Sequence, residues 1–129
     1  MRVPLCTAIL AGITFGALPS WAAPLSQDAF LLRSAGDLVA LCGSEQSDPL
    51  YTAAQNFCHG FAVGTYRLVV QVEDATPSKQ KLVCPPSTPT TRTEAVAAFV
   101  QWAGTHSDLL TLPATDGLLR FIAAQFPCK

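Results

Sequence analysis

The sequence predicts an all-α protein, a small four-helix bundle stapled by two disulfides. Four segments repeat apolar residues at three- and four-residue intervals, which is the period of a helix with one buried face. Prolines and glycines separate these segments, and no window shows the sustained alternation expected of strands. Four of the five cysteines lie beyond the first 22 residues, an even number that favours a disulfide framework in a short exported chain.

The first 22 residues have the layout of a cleavable export signal. Arg2 is followed by an uncharged apolar stretch from Val3 to Leu18 and then by small residues. A basic start, an apolar middle and small residues before the cut are typical of a secretory signal peptide. We expect cleavage after Ala22, which leaves residues 23–129 as one helical domain. A membrane anchor is the alternative, but this stretch is shorter than the roughly 20 residues that a span needs.

The first predicted helix runs from Ser26 to Gly43. Ser26 is a candidate N-cap, and Gly43 is a candidate C-cap. The apolar residues between them recur at helical intervals and line one face, namely Leu31, Ala35, Leu38, Val39 and Cys42.

The second predicted helix runs from Pro49 to Glu73. Asp48 can cap the free amides at its start, and proline loses no hydrogen bond at the first helical position. Its apolar stripe consists of Leu50, Ala54, Phe57, Phe61, Leu68 and Val72. Gly60 and Gly64 lie beside this stripe, and a glycine inside a helix costs about 1 kcal/mol relative to alanine. We therefore expect another backbone to pack closely against these two glycines.

A loop and two further helices complete the domain. The segment from Asp74 to Thr90 contains four prolines and cannot continue a helix. Thr91 and Glu94 then form the pattern of a capping box, and the third helix ends at Gly104. Its buried face comprises Val96, Phe99, Val100 and Ala103. The fourth helix begins at Leu112-Pro113, stops at Pro127 and buries Leu118, Leu119, Ile122 and Phe126.

The charge of the chain argues against a nucleic-acid partner. Because Arg2 is the only charged residue before Ala23, the remainder carries 7 basic and 9 acidic side chains, a formal net charge of −2 (7 − 9). Binding to a phosphate backbone needs clustered lysines and arginines, and no such cluster occurs. The segment left after cleavage is also expected to be free of the membrane.

No residue pattern predicts catalysis, a metal or a cofactor. His59 follows Cys58, but structural zinc sites use spacings such as C-x2-C that are absent here. Cys58 with His106 resembles a nucleophile and its base, yet each cysteine has a plausible disulfide partner. Asp108 and Asp116 resemble an acid–base pair, but an aspartate beside a helix start is more often a cap. We therefore expect that the protein is not an enzyme and that it binds no cofactor.

Four cysteines allow three pairings, and the sequence alone does not choose among them. In an up-down bundle, Cys42 ends the first helix and Cys58 lies two turns into the returning second helix. Cys84 follows the far end of the second helix, and Cys128 ends the fourth helix at that same end. This arrangement favours Cys42 with Cys58 and Cys84 with Cys128.

An ordered set of short motifs resembles the Rap1a/Tai family of bacterial immunity proteins. The run Cys58-His59-Gly60-Phe61-Ala62-Val63-Gly64 resembles the family's C-x-G-aromatic-x-x-G segment, and Cys84-Pro85 its later cysteine–proline step. Thr105-His106-Ser107-Asp108 is similar to its His-Pro-Glu turn, with Ser107 in place of proline, and Phe126-Pro127-Cys128 matches its closing Phe-Pro-Cys. The likeness extends from about Asp37 to Cys128.

The resemblance implies a periplasmic protein that binds an effector and blocks it. The typical effector is a peptidoglycan amidase delivered by a type VI secretion system, and its active-site groove is closed by a protruding loop. The resemblance also implies that a homodimer can form. In this chain the candidate contact loops are Asp74–Thr90 and Thr105–Thr111, because exposed loops on a rigid scaffold commonly carry binding. Their candidate partner-binding residues are Lys79, Lys81, His106 and Asp108.

An acid-stress chaperone of the periplasm is the alternative function. Such chaperones are also small and helical, and they expose apolar surface when low pH loosens their fold. They usually have one disulfide and many charged residues. The four cysteines and 16 charged residues (7 + 9) of residues 23–129 favour a rigid binding protein instead.

Overall fold

The protein is a bundle of four α-helices, as the sequence predicts. The computed structural model describes residues 23–76, 81–86, 88 and 90–128, so the predicted export signal lies outside the described residues. The α-helices are α1 (Ala35–Cys42), α2 (Tyr51–Ala75), α3 (Arg92–Gly104) and α4 (Ala114–Gln125). Two 3₁₀ helices, Gln27–Leu31 and Ser107–Thr111, precede α1 and α4. Within the described ranges no residue belongs to a strand.

The first predicted helix is broken in two, so its expected extent is wrong. Ser26 does act as an N-cap, but of the 3₁₀ helix, where its hydroxyl accepts from the amide of Asp28. Leu32 then adopts a left-handed conformation with φ 47°, which ends that helix. Ser34 and Asp37 form a capping box that starts α1. The break leaves Leu31, predicted to be buried, 58% exposed.

Asp48 organises the turn that leads into α2, three residues before the helix begins at Tyr51. One carboxylate oxygen accepts from the amide of Leu50 at 2.8 Å. The other accepts from the amide of Leu25 at 2.7 Å, which ties the N-terminal segment to this turn. The carboxylate thus holds two distant parts of the chain together. The side chain caps the turn that leads into α2 rather than the helix itself.

The core lies where the four helices meet. Its buried members come from every helix and from the segment before α3, with Leu38 and Cys58 fully inaccessible. Phe99 and Phe121 pack edge to face with their centroids 5.4 Å apart, which joins α3 to α4. The capping box of Thr91 and Glu94 starts α3 as predicted.

Both predicted disulfides are confirmed. Cys42 and Cys58 join α1 to α2 inside the core, with their Cα atoms 5.2 Å apart. Cys84 and Cys128 join the segment after α2 to the end of α4, with Cα atoms 5.0 Å apart. The amide of Cys84 also donates to the carbonyl of Phe126 at 2.9 Å, so backbone and disulfide hold the same junction.

The outward face of α2 contradicts the packing predicted for it. Phe57, Gly60, Gly64, Leu68 and Val72 follow one another at intervals of three and four residues and form one exposed face, which we call the α2 outer stripe. Leu68 and Val72 are 60% and 56% exposed, although the sequence predicts both in the core. A Cβ added at either glycine would meet no atom within 4 Å. No other backbone of the described chain therefore packs against these glycines.

Candidate partner-binding surfaces

The turn between α3 and α4 presents polar side chains from a fixed frame. His106 stacks on Trp102 with ring centroids 4.2 Å apart, and its Nδ1 lies 2.7 Å from the carbonyl oxygen of Trp102. Thr105 donates its hydroxyl to the same carbonyl at 2.9 Å. His106 is therefore half-buried and held by the end of α3. Asp108 lies in the first turn of the 3₁₀ helix and is exposed.

The start of α1 supports this turn from beneath. The amide of Ala35 donates to the carbonyl of Leu112 at 2.7 Å. A Cβ on Gly36 would lie only 3.2 Å from the carbonyl oxygen of Leu110, so the two backbones are in close contact. Leu109 is buried below the turn. The exposed side chains thus project from a segment whose backbone is packed on a helix.

The loop after α2 is held along the end of that helix in its described part. Lys79 lies outside the described residues. Lys81 pairs with Asp74, and the hydrogen bond and charge of that carboxylate raise the pKa of the lysine. The amide of Leu82 donates to a carboxylate oxygen of Glu73 at 2.9 Å. Val83 is buried in the core, so the segment returns into the bundle directly before Cys84.

The two candidate loops lie at opposite ends of α4. The turn of His106 and Asp108 directly precedes α4, whereas the segment of Lys81 is bound through Cys84 to Phe126 at its other end. The 12 residues of α4 separate these ends by about 18 Å at 1.5 Å per residue. The structure therefore brings His106 and Asp108 together and sets Lys81 apart from them.

A cavity of about 360 Å³ opens between α2 and α3. Its apolar lining comes from all four helices and includes Leu38, Phe99, Leu118, Phe121 and Ile122. Arg67 of α2 and Arg92 of α3 line its exposed edge, and His59 is half-buried beside it. No aspartate or glutamate lines this cavity among the described residues.

A family model described as Rap1a immunity proteins matches residues 34–128. The chain belongs to the Rap1a immunity proteins. No curated protein and no solved structure matches the chain significantly. The Rap1a match covers all four α-helices, both disulfides and both candidate loops, and it confirms the family that the motifs indicate. It leaves out the first 3₁₀ helix, which lies before residue 34.

Two of the Rap1a motifs lie on α2 and directly after α4. The Cys58–Gly64 run lies on α2, where Cys58 faces the core and both glycines face outward. The Phe126–Cys128 run directly follows α4 and carries the second disulfide. Because Cys58 is bonded to Cys42, it has no free thiolate to pair with His106 as a nucleophile.

Other observations concern metal and membrane binding. Among the described residues, no group of three or more histidine, cysteine, aspartate or glutamate side chains is placed to hold a metal ion. In the same part of the chain, no helix combines the length and the apolar character needed to span a membrane.

Two surfaces of this Rap1a protein are not predicted from its sequence. The α2 outer stripe is missed because its residues satisfy the helical period of a buried face. Arg67 and Arg92 are missed because they are 25 positions apart and lie in no motif. A fold in which α2 and α3 are neighbours is what places these two arginines beside one cavity.

Proposed function

We propose that this Rap1a protein is exported by cleavage after Ala22 and acts in the periplasm as an immunity protein. Its target would be a peptidoglycan-degrading amidase delivered by a type VI secretion system. Binding would close the active-site groove of the amidase, so the immunity protein itself performs no catalysis and needs no cofactor. The family match over residues 34–128 supports immunity function, and the apolar start of the sequence supports export.

The observation that carries the proposal is the fixed turn that includes Ser107–Thr111. A segment that enters a groove must keep its shape, because ordering a mobile loop on binding costs free energy. The stack of His106 on Trp102 and the backbone contacts to α1 supply that rigidity before binding. The exposed Asp108 then meets the effector, with Lys81 in a separate contact at the other end of α4. Lys79 is a candidate contact from the sequence alone.

The test uses the product of the neighbouring gene as the effector, since an immunity gene usually lies beside its toxin gene. Binding would be measured by calorimetry, and inhibition by release of soluble fragments from peptidoglycan. We expect Asp108→Lys to weaken binding at least about tenfold, as charge reversal at a central contact does. Glu45→Lys, an exposed reversal in the connection between α1 and α2, is the matched control.

Two results would count against this assignment. Inhibition that survives Asp108→Lys together with alanine across residues 105–111 would remove the turn from the interface. A neighbouring product that binds tightly but does not hydrolyse peptidoglycan would retain immunity and reject the amidase.

We also propose that two copies pair through the α2 outer stripe. The stripe exposes three large apolar side chains, and its two glycines leave room for a second helix to approach. Sedimentation velocity would test this pairing. Gly64→Leu should abolish the dimer because its side chain fills the gap between helices, whereas Gly104→Leu, at another open glycine, should not. A wild-type protein that stays monomeric at high micromolar concentration would refute the pairing.

A further inference from the structure

The cavity between α2 and α3 has the volume and the lining charge of a ligand site. It reaches the core, where Leu38 and Leu118 are almost completely buried. Ala62 and Ala95 line it from facing helices, and their small side chains leave the space between those helices open. A volume of about 360 Å³ lies within the range of small-molecule pockets, roughly 300 to 1,000 Å³.

The opening of the cavity is positively charged. Arg67 and Arg92 approach it from the two helices that border it, and both are exposed. Within the described ranges, neither arginine forms an ion pair, because the single ion pair there joins Lys81 to Asp74. α3 begins at Arg92, so the positive end of its helix dipole lies at the same opening.

The nearest acidic side chain in sequence does not neutralise this charge. Glu94 is turned toward Thr91, from which its carboxylate accepts both the amide and the hydroxyl hydrogen at 2.8 Å. These hydrogen bonds lower the pKa of Glu94 and keep the carboxylate committed to the capping box. The two guanidinium groups therefore remain available to an anion from outside.

We propose that this cavity binds a free single-chain amphiphile with an anionic head group, such as a fatty-acid carboxylate. The apolar interior receives the chain, and Arg67 and Arg92 bind the head group, since guanidinium groups match carboxylate and phosphate geometry. A methylene occupies about as much volume as a water molecule, roughly 30 Å³. A volume of about 360 Å³ is therefore on the order of one alkyl chain, which favours a single-chain ligand over a two-chain lipid.

Titration calorimetry of the oxidised, detergent-free protein with dodecanoate below its micelle concentration tests the proposal. We expect saturable binding of one molecule per chain. Dodecyltrimethylammonium, with the same chain and the opposite charge, should bind at least about tenfold more weakly, because charge-assisted hydrogen bonds stabilise the carboxylate alone. Butanoate, with the same head group and a short chain, should not bind measurably.

Variants separate the two halves of the site. Arg67→Gln with Arg92→Gln should weaken dodecanoate binding at least about tenfold, whereas Arg120→Gln, an exposed arginine of α4 outside the cavity, should not change it. Ala62→Trp should abolish binding by filling the interior. Ala95→Leu, a smaller change on the facing helix, tests the same point if Ala62→Trp does not fold.

Three outcomes would overturn the proposal. Equal affinity for the anion and the cation would show unspecific adsorption, and absence of saturable binding would show an empty cavity. Loss of effector binding in Ala95→Leu, without any dodecanoate binding to the wild type, would assign the cavity to the protein interface. The dodecanoate titrations themselves need no effector, so their result is independent of the proposed immunity function.

Discussion

Gly117 of α4 lies so close to Ala35 of α1 that a Cβ added to the glycine would be 2.5 Å from the Cβ of Ala35. Real Cβ atoms do not approach to that distance, so the contact requires glycine. Ala35 is also the residue whose amide binds the carbonyl of Leu112 at the end of the candidate turn. The close packing of α1 on α4 therefore fixes the frame from which His106 and Asp108 project.

We expect Gly117→Ala to lower the free energy of unfolding by about 1 to 2 kcal/mol. Overpacking a core costs roughly 1 to 3 kcal/mol, and a Cβ–Cβ distance of 2.5 Å places this site in the upper half of that range. Replacing a helical glycine returns about 1 kcal/mol of this cost. Urea unfolding at neutral pH measures the difference. Adding Ala35→Gly should recover part of the loss, because it removes the clashing methyl group. A Gly117→Ala variant as stable as the wild type would show that α1 and α4 are not packed this closely.

Replacing the glycines of the α2 outer stripe by alanine should stabilise the protein, in contrast to Gly117→Ala. Gly60→Ala and Gly64→Ala are each expected to raise the free energy of unfolding of the monomer by about 1 kcal/mol, since both lie inside α2 and have open space beside them. Gly104→Ala, at the last residue of α3, should have a smaller effect. Thermal unfolding at low protein concentration distinguishes these cases, and destabilisation at Gly64 would reveal a neighbour within the chain.

The two disulfides should contribute unequally to the free energy of unfolding, and the one that closes the shorter loop should contribute more. They close separations of 16 and 44 residues, for which the loop-entropy relation predicts about 3 and about 4 kcal/mol of stabilisation. However, Cys42 and Cys58 are both buried in the core, so their removal also leaves a cavity. We expect Cys42→Ala with Cys58→Ala to be more destabilising than Cys84→Ala with Cys128→Ala in urea unfolding. The reverse order would show that loop entropy dominates.

The capping box at the start of α3 should make the stability of the protein depend on pH. Hydrogen bonds from Thr91 lower the pKa of Glu94 below its ordinary 4.5. A lowered carboxyl pKa stabilises the fold above the ordinary value, and that contribution is lost as the pH falls through the folded pKa. The stability advantage of the wild type over Glu94→Gln should therefore be greater at pH 7 than at pH 3. In a Thr91→Ala background this pH dependence should become smaller but not vanish, because the backbone amide of residue 91 can still donate to Glu94 and only the hydroxyl contact is lost. A pH dependence that is unchanged in that background would exclude the hydroxyl contact as a contributor.

Local sequence signals were sufficient for most of the helical framework. The capping residues Thr91 and Glu94, together with the prolines that bound each segment, predict where α3 and α4 lie because their effects act within one turn. The same signals misjudge the first helix, since both Ser26 and Ser34 can act as N-caps. The left-handed Leu32 between them has no marker in the sequence.

Only the packing of the bundle determines which apolar residues are covered by another helix. The face of α2 that packs on the core carries Cys58, Ala62, Tyr66 and Val69, which recur at intervals of three and four residues. Leu68 and Val72 keep the same helical period but lie on the face of α2 that points away from the bundle, so no other helix of the described chain covers them. The cysteine pairs, in contrast, agree with the up-down arrangement of helices that the sequence favours among the three possible pairings. Periodicity is a local property, but burial depends on the position of other helices.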